Sequence, residues 1–132
     1  MIQEKDIAKV EVGLTGHEMD PDDVTKIVGL HPTRSFRKGD RVSKKGIERA
    51  QPFSLWALGA EGEDVEATVR LLLAQLEGRL DAWNVAIKET KAQASVSIWW
   101  EPEGGQGGFT VQSALMRRLT EFGERVNIYF PG

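Results

Sequence analysis

Apolar residues recur at every second position in three separated stretches of this chain, and that period leaves little choice of fold. Ala8, Val10, Val12 and Leu14 alternate with Lys9, Glu11 and Gly13. Ala94, Val96, Ile98 and Trp100 alternate with Ser95, Ser97 and Trp99, and Val126, Ile128 and Phe130 alternate with Asn127 and Tyr129. Successive side chains of a strand point to opposite faces, so each stretch is a strand with one apolar and one wetter side. A sheet of such strands buries one face and leaves the other to solvent or to a partner.

Between the strands the period changes to that of a helix. Val65, Val69, Leu72, Leu73, Leu76 and Leu80 fall on one face of a helix that starts near Asp64. An earlier, shorter helix is marked by its punctuation. Asp20 is placed as N-cap, Pro21 at the first helical position, and Asp22 and Asp23 lie over the positive end of the dipole. Met19 and Val24 have the spacing of a hydrophobic staple, and Gly29 is the stop. Residues 81–91 read as a further helical turn or two anchored by Trp83 and Ile87. Ser113 is expected to cap a last helix with stripe Leu115, Leu119 and Phe122, with Gly123 at its end. Strands are also expected at 53–58 and, briefly, at 109–111, after a Gly-rich connection that cannot easily hold regular structure. The order β-α-β-α-β-β-α-β predicts an α+β fold. Its sheet is expected to be mixed, mostly antiparallel and five-stranded, with helices mainly on one face, ferredoxin-like in character. The 132 residues are expected to form a single domain with one core.

Composition narrows the function classes. With no cysteine there is no disulfide, thiolate metal site or cysteine nucleophile, as suits a cytoplasmic protein. The first residues lack the apolar stretch of a secretory signal. The longest apolar run, Leu71-Leu72-Leu73-Ala74, is far too short to cross a bilayer, so no membrane association is expected. A net charge of −3 argues against a surface that grips nucleic acid as a whole.

The pieces Gly29-Leu30-His31-Pro32-Thr33, Lys38-Gly39-Asp40, Trp56, the leucine-rich helix at 71–80 and the closing pair Tyr129-Phe130 occur in a specific order and spacing. In these the chain resembles a bacterial family known only as domain of unknown function 4279. The resemblance runs through most of the chain and implies a small bacterial α+β domain of unassigned activity. It brings no catalytic residues to carry over. Some small bacterial families of this kind act as toxin-neutralising immunity proteins, which is an analogy of size and lifestyle.

The basic stretch at 34–49 is the main candidate site. Arg34, Arg37, Lys38, Arg41, Lys44, Lys45 and Arg49 face two acids, Asp40 and Glu48, giving +5 in a chain of net −3. Such polarity steers partners, although charge runs are most often solvated faces. Only Phe36 interleaves the bases and no phosphate-cradling GxxxxGK[ST] is present, so nucleic acid is a weak third reading. Pro32, Gly39 and Asp40 have turn-forming roles of their own. His17 beside Glu18, Asp20, Asp22 and Asp23 matches no metal loop, and those acids are already helix caps. No cofactor is expected. Trp56, Trp83 and Trp100 lie in apolar patterns and are assigned to the core. Trp99 lies with Ser95 and Ser97 on the wetter face, where an aromatic can anchor a partner or be covered by loop 31–52.

The leading expectation is a non-enzymatic interaction module. It would bind an unknown protein partner or a second copy through the open sheet face at Trp99 and the cationic loop with Arg34, Arg37, Lys38 and Arg41. The alternative is a small enzyme or anion-binding protein. Its pocket would lie between loop 31–52 and the sheet, with His31, Arg34, Arg37 and Asp40 as polar groups.

Overall fold

The computed structural model describes residues 6–105 and 107–130. Numbered in chain order, strand β1 (Ile7–Gly16) is the central strand of a five-stranded sheet. Helix α1 (Pro21–Val28) leads to a short strand β2 (Arg34–Phe36), then to β3 (Arg41–Lys44) and β4 (Ile47–Ala50), and back to the long strand β5 (Ser54–Gly62). Helices α2 (Val65–Gln75) and α3 (Leu80–Thr90) precede β6 (Gln93–Glu101), and α4 (Ser113–Thr120) precedes β7 (Arg125–Tyr129). β1 pairs antiparallel with both β5 and β6; β2 is antiparallel to β5, and β7 is parallel to β6. The spatial order is β2-β5-β1-β6-β7, with β3 and β4 forming a separate two-stranded ribbon.

The α+β class and the mixed, mostly antiparallel sheet agree with the alternating pattern. The strand order gives no support to ferredoxin-like connectivity, because β1 lies between two antiparallel neighbours and the one parallel pair is at the edge. Two local expectations also differ. Residues 109–111 form no strand; Phe109 and Val111 pack against the core as irregular chain, with Phe109 edge-on to Trp100 at 5.3 Å. The fifth strand is β2, inside the stretch expected to be a loop. Its Arg-Ser-Phe sequence carries no apolar period, and the backbone pairing to β5 alone defines it.

The helix signals hold for α1 and for the start of α2, but the stripe expected to run through Leu80 is broken: α2 ends at Gln75 with Leu76 as its C-cap, and Leu80 opens α3, a full helix of 11 residues. The Asp20 carboxylate accepts from the Asp22 N–H at 2.9 Å, Pro21 occupies the first turn, and Gly29 closes α1 in the left-handed region at φ 77°. Asp64 caps α2 by accepting from the Ala67 N–H at 2.9 Å. Ser113 is the first residue of α4 and makes no side-chain cap; Gln112 stands in the N-cap position.

One core joins the buried apolar faces of all four helices to Val10, Val12 and Leu14 of β1, Trp56 and Leu58 of β5, and Val96, Ile98 and Trp100 of β6. Trp83 is its centre. Its ring meets Trp56 edge-on at 5.7 Å and Phe122 at 5.8 Å, and its Nε1–H donates to the Phe122 carbonyl at 2.9 Å. Trp56 donates to Thr25 Oγ1 at 3.0 Å, so the indole N–H groups of Trp56 and Trp83 are both satisfied. Among the described residues no helix is long and apolar enough to cross a membrane.

Candidate functional site

The register defines a second, helix-free face of the sheet. Lys9, Glu11 and Gly13 of β1 lie beside Glu61, Gly59 and Ala57 of β5 on one side and beside Trp99, Ser97 and Ser95 of β6 on the other. Asn127 and Tyr129 of β7 continue the rows of Ser97 and Trp99. The buried apolar residues of the four helices all join the core on the opposite face. Small residues dominate the middle of this outer face, and Trp99 rises at one end of it. The Trp99 ring stacks on Tyr129 at 5.1 Å and 15°, and the Lys9 ammonium sits over it at 5.2 Å. The indole is therefore held in one orientation by contacts on two sides. Ile7, Lys9, Arg34, Glu61, Trp99 and Glu101 line a shallow depression of about 380 Å³ there.

Glu11 sits in the centre of this face and is buried. Arg34, projecting from edge strand β2, reaches it with Nε and Nη2, both at 2.9 Å, one to each carboxylate oxygen. This bidentate pair is what allows a carboxylate to lie flat on the sheet. Donating these hydrogen bonds to Glu11 raises the Arg34 pKa above its already high ordinary value, so the guanidinium stays charged. Gly59 provides the room: a Cβ there would come within 3.1 Å of the Val10 carbonyl and 3.6 Å of the Glu11 Cβ.

The basic stretch is divided among several environments. Arg34 belongs to the outer face. Arg37 turns back to the start of α1, donating to Asp20 at 2.5 Å and Asp22 at 2.7 Å. Lys38 donates its backbone N–H to Ser54 Oγ at 2.9 Å while its side chain is exposed. Arg41 stands across the ribbon from Glu48 at 3.8 Å. Every residue of β3 and β4 is exposed, so the ribbon projects from the body. Lys45 and Gly46 turn it with φ of 54° and 75°, the left-handed pair that a two-residue type I′ turn requires. Val42, Lys44, Ile47 and Arg49 share one face of the ribbon, which is both apolar and cationic.

The ribbon and Trp99 are not neighbours. β2 ends where Phe36 lies opposite Leu55, in the row of Thr15, whereas Trp99 is in the row of Lys9. At about 3.3 Å per residue these rows are roughly 20 Å apart. The structure thus brings Arg34 and Trp99 together at one depression and leaves Arg37, Lys38 and Arg41 at the other end of the sheet.

The residues suggested for an alternative pocket do not converge. His17 and His31 are both exposed. The Asp40 carboxylate accepts the Arg37 backbone N–H at 2.8 Å and closes the turn before the ribbon. Among the described residues no three His, Asp or Glu side chains gather as a metal-ligand set.

A family model described as "Domain of unknown function (DUF4279)" matches residues 6–130. The chain belongs to that family. No curated protein and no solved structure matches it. In this DUF4279 domain the segments that carried the resemblance have structural roles. Thr33 fastens the chain after α1 to β5: its N–H and Oγ1 donate to the Ala57 carbonyl at 2.8 and 3.2 Å, and the hydroxyl accepts from the Gly59 N–H at 3.0 Å. In Lys38-Gly39-Asp40, Gly39 adopts φ 91° and donates to the Gln51 carbonyl at 2.8 Å, and Gln51 donates back to the Asp40 carbonyl at 2.8 Å. These bonds form the base of the ribbon.

Two contributors escaped the sequence reading. Glu11 is visible only as the polar member of an alternation; its partner lies 23 residues away and depends on which strands pair. The one signal was an acid in mid-strand two residues from Gly13, where small neighbours leave space. Tyr129 belongs to the closing aromatic pair, but its stacking on Trp99 follows from the parallel β6–β7 register.

Proposed function

We propose that this DUF4279 domain is a non-enzymatic protein-interaction module whose contact surface is the helix-free sheet face around Trp99. One observation carries the reading. A tryptophan is braced by Tyr129 and Lys9 on a face that no described helix covers, beside exposed Ile7 and the Glu11–Arg34 pair. Anchors of this kind, preoriented and rimmed by charge, supply most of the energy of protein–protein contacts. The depression is shallow and carries both signs of charge, from Lys9, Arg34, Glu61 and Glu101, which suits a mixed polar and apolar protein surface. The cationic ribbon, roughly 20 Å away by strand rise, acts as a second, separate element that steers an acidic partner.

The test is Trp99→Ala. The ring is half-buried and outside the core, so the variant keeps its circular dichroism and loses the partners that the unmodified domain retains from a cell lysate. A Trp99→Ala domain that retains the same partners with the same strength overturns the proposal.

A further inference from the structure

We propose that β7 is a self-complementary edge through which two copies of this chain pair, antiparallel, about a two-fold axis at Asn127. This stands on the edge strand and does not depend on the reading of the Trp99 face.

Among the described residues nothing pairs with the outer side of β7. Its backbone orientation follows from its neighbours. The Ala94 carbonyl accepts from the Glu124 N–H at 3.1 Å, so Ala94 of β6 faces β7, and alternation makes Val96 and Ile98 do the same. The other side of the sheet gives the same phase. Ala57 faces β2 through its bond to Thr33, so Leu58 faces β1, and Val12 opposite it faces back to β5. Glu11 and Gly13 then face Ser97 and Ser95, again leaving Val96 and Ile98 directed at β7. In a parallel ladder with Val96 opposite Val126, the β7 groups that bond Val96 and Ile98 belong to Arg125, Asn127 and Tyr129. The N–H and C=O groups of Val126 and Ile128 therefore point to the open edge.

An antiparallel partner must set outward-pointing residues against outward-pointing residues. With a second β7 this places Val126 of one copy opposite Ile128 of the other, Asn127 opposite Asn127, and Arg125 opposite Tyr129. Each pair is matched in chemistry. Val126 and Ile128 lie on the helix side of the sheet and are 42% and 47% exposed although they flank the core, so their pairing continues an apolar surface. On the outer side, Arg125 comes over a Tyr129 ring already stacked on Trp99. Asn127 meets its own amide, which donates and accepts. Isologous contacts need this reversal symmetry, and an arbitrary peptide does not supply it. The strand carries no proline, lysine or inward charge, and its single charge, Arg125, lies on the outer side where the pairing sets it against Tyr129. The opposite edge, β2, offers only three residues. Pairing through β7 joins two sheets into one and aligns two Trp99 faces side by side.

The experiment is sedimentation equilibrium of the full chain together with an Asn127→Cys variant. The chain has no cysteine of its own, so the introduced thiol reports one contact. Across a non-hydrogen-bonded antiparallel pair the Cα atoms approach to about 4.5 Å, within disulfide reach. The expected result is a particle of about twice 14.7 kDa and, for Asn127→Cys under oxidation, a covalent dimer that reduction dissolves. Ile128→Lys sediments as a monomer at the same concentrations. Arg125→Glu, a change at an exposed position, raises the dimer dissociation constant about tenfold or more even if Ile128→Lys fails to fold. A monomeric parent chain, an Arg125→Glu variant that dimerises unchanged, or a dimer that does not cross-link at position 127 overturns the proposal.

Discussion

Glu11 is a carboxylate that its own strand pattern places on the open face, yet it is buried, and two Arg34 nitrogens at 2.9 Å answer it. Removing the partner is therefore worse than removing the charge. Arg34→Ala leaves a carboxylate with little water and no donor, at a cost of about 1–3 kcal/mol; the half-exposed guanidinium lets solvent relieve part of the full penalty. Glu11→Gln leaves Arg34 free to hydrate and costs less. Urea denaturation of the two variants checks the order, and equal losses count against the argument. At the start of α1 the Asp22 N–H, and after it Arg37, hold the Asp20 carboxyl below its ordinary value of 3.8. A depressed folded-state value means stabilisation that is present above the ordinary value and lost as pH falls past it toward the lowered one. Asp20→Asn keeps a capping acceptor but cannot titrate, so its urea midpoint is flatter than the parent's below about pH 4. An identical acid limb in the two proteins removes Asp20 from the account. Asp20 was legible in the sequence because capping is local. The Glu11–Arg34 pair was not, because it exists only once β1, β5 and β2 are side by side.

The same division between local and distant causes holds for the elements. Alternation identified β1, β6 and β7, the apolar run at 53–58 identified β5, and apolar stripes identified the helices, with caps read correctly at α1 and α2 but not at α4, since each of those signals is written within a few residues. β2, the ribbon and the irregular course of 109–112 were missed, each for want of a local apolar period. In β2 the pairing partner decides; in β3 and β4 the turn Lys45-Gly46 does; at Phe109 and Val111 packing against the core outweighs two apolar residues in alternation. Gly123 was expected as a helix stop but is not the stop of α4, which ends at Thr120 with Glu121 as its C-cap. A Cβ at Gly123 would meet the backbone of Ser95 and Val96 at 2.8 to 2.9 Å. Those atoms are backbone in a central part of β6 and have no rotamer to escape into. Gly123→Ala is therefore expected to push the lead-in of β7 away from β6 and to destabilise by about 1–3 kcal/mol, read as a lowered urea midpoint. A neutral Gly123→Ala means the chain at 123–124 is not held against β6.

At the scale of the whole molecule, stability and recognition are placed on different parts of the chain. All four helices and the apolar side of the sheet share one core, whereas Trp99, the Glu11–Arg34 pair and the open β7 edge lie outside it. The ribbon is further removed still: no residue of β3 or β4 is buried, and a lone two-stranded hairpin is marginal in water. Arg37 and the Gly39–Gln51 bonds fix its base but not its length. The sequence made the polarity of residues 34–49 plain and made Trp99's side of the sheet plain. It had no means of measuring the distance between them, which the register alone supplies, and so two separate surfaces read as one. This layering predicts a gradient of opening that amide hydrogen exchange measures directly. β1, bonded on both sides and covered by helices on one, exchanges only through global unfolding, and its rates follow added denaturant with the full slope. Ribbon amides at 41–50 exchange through local opening and are insensitive to the same denaturant. If ribbon amides instead join the slow class in the isolated protein, the ribbon is packed against something, and its role as a free steering arm fails while the rest of the fold stands.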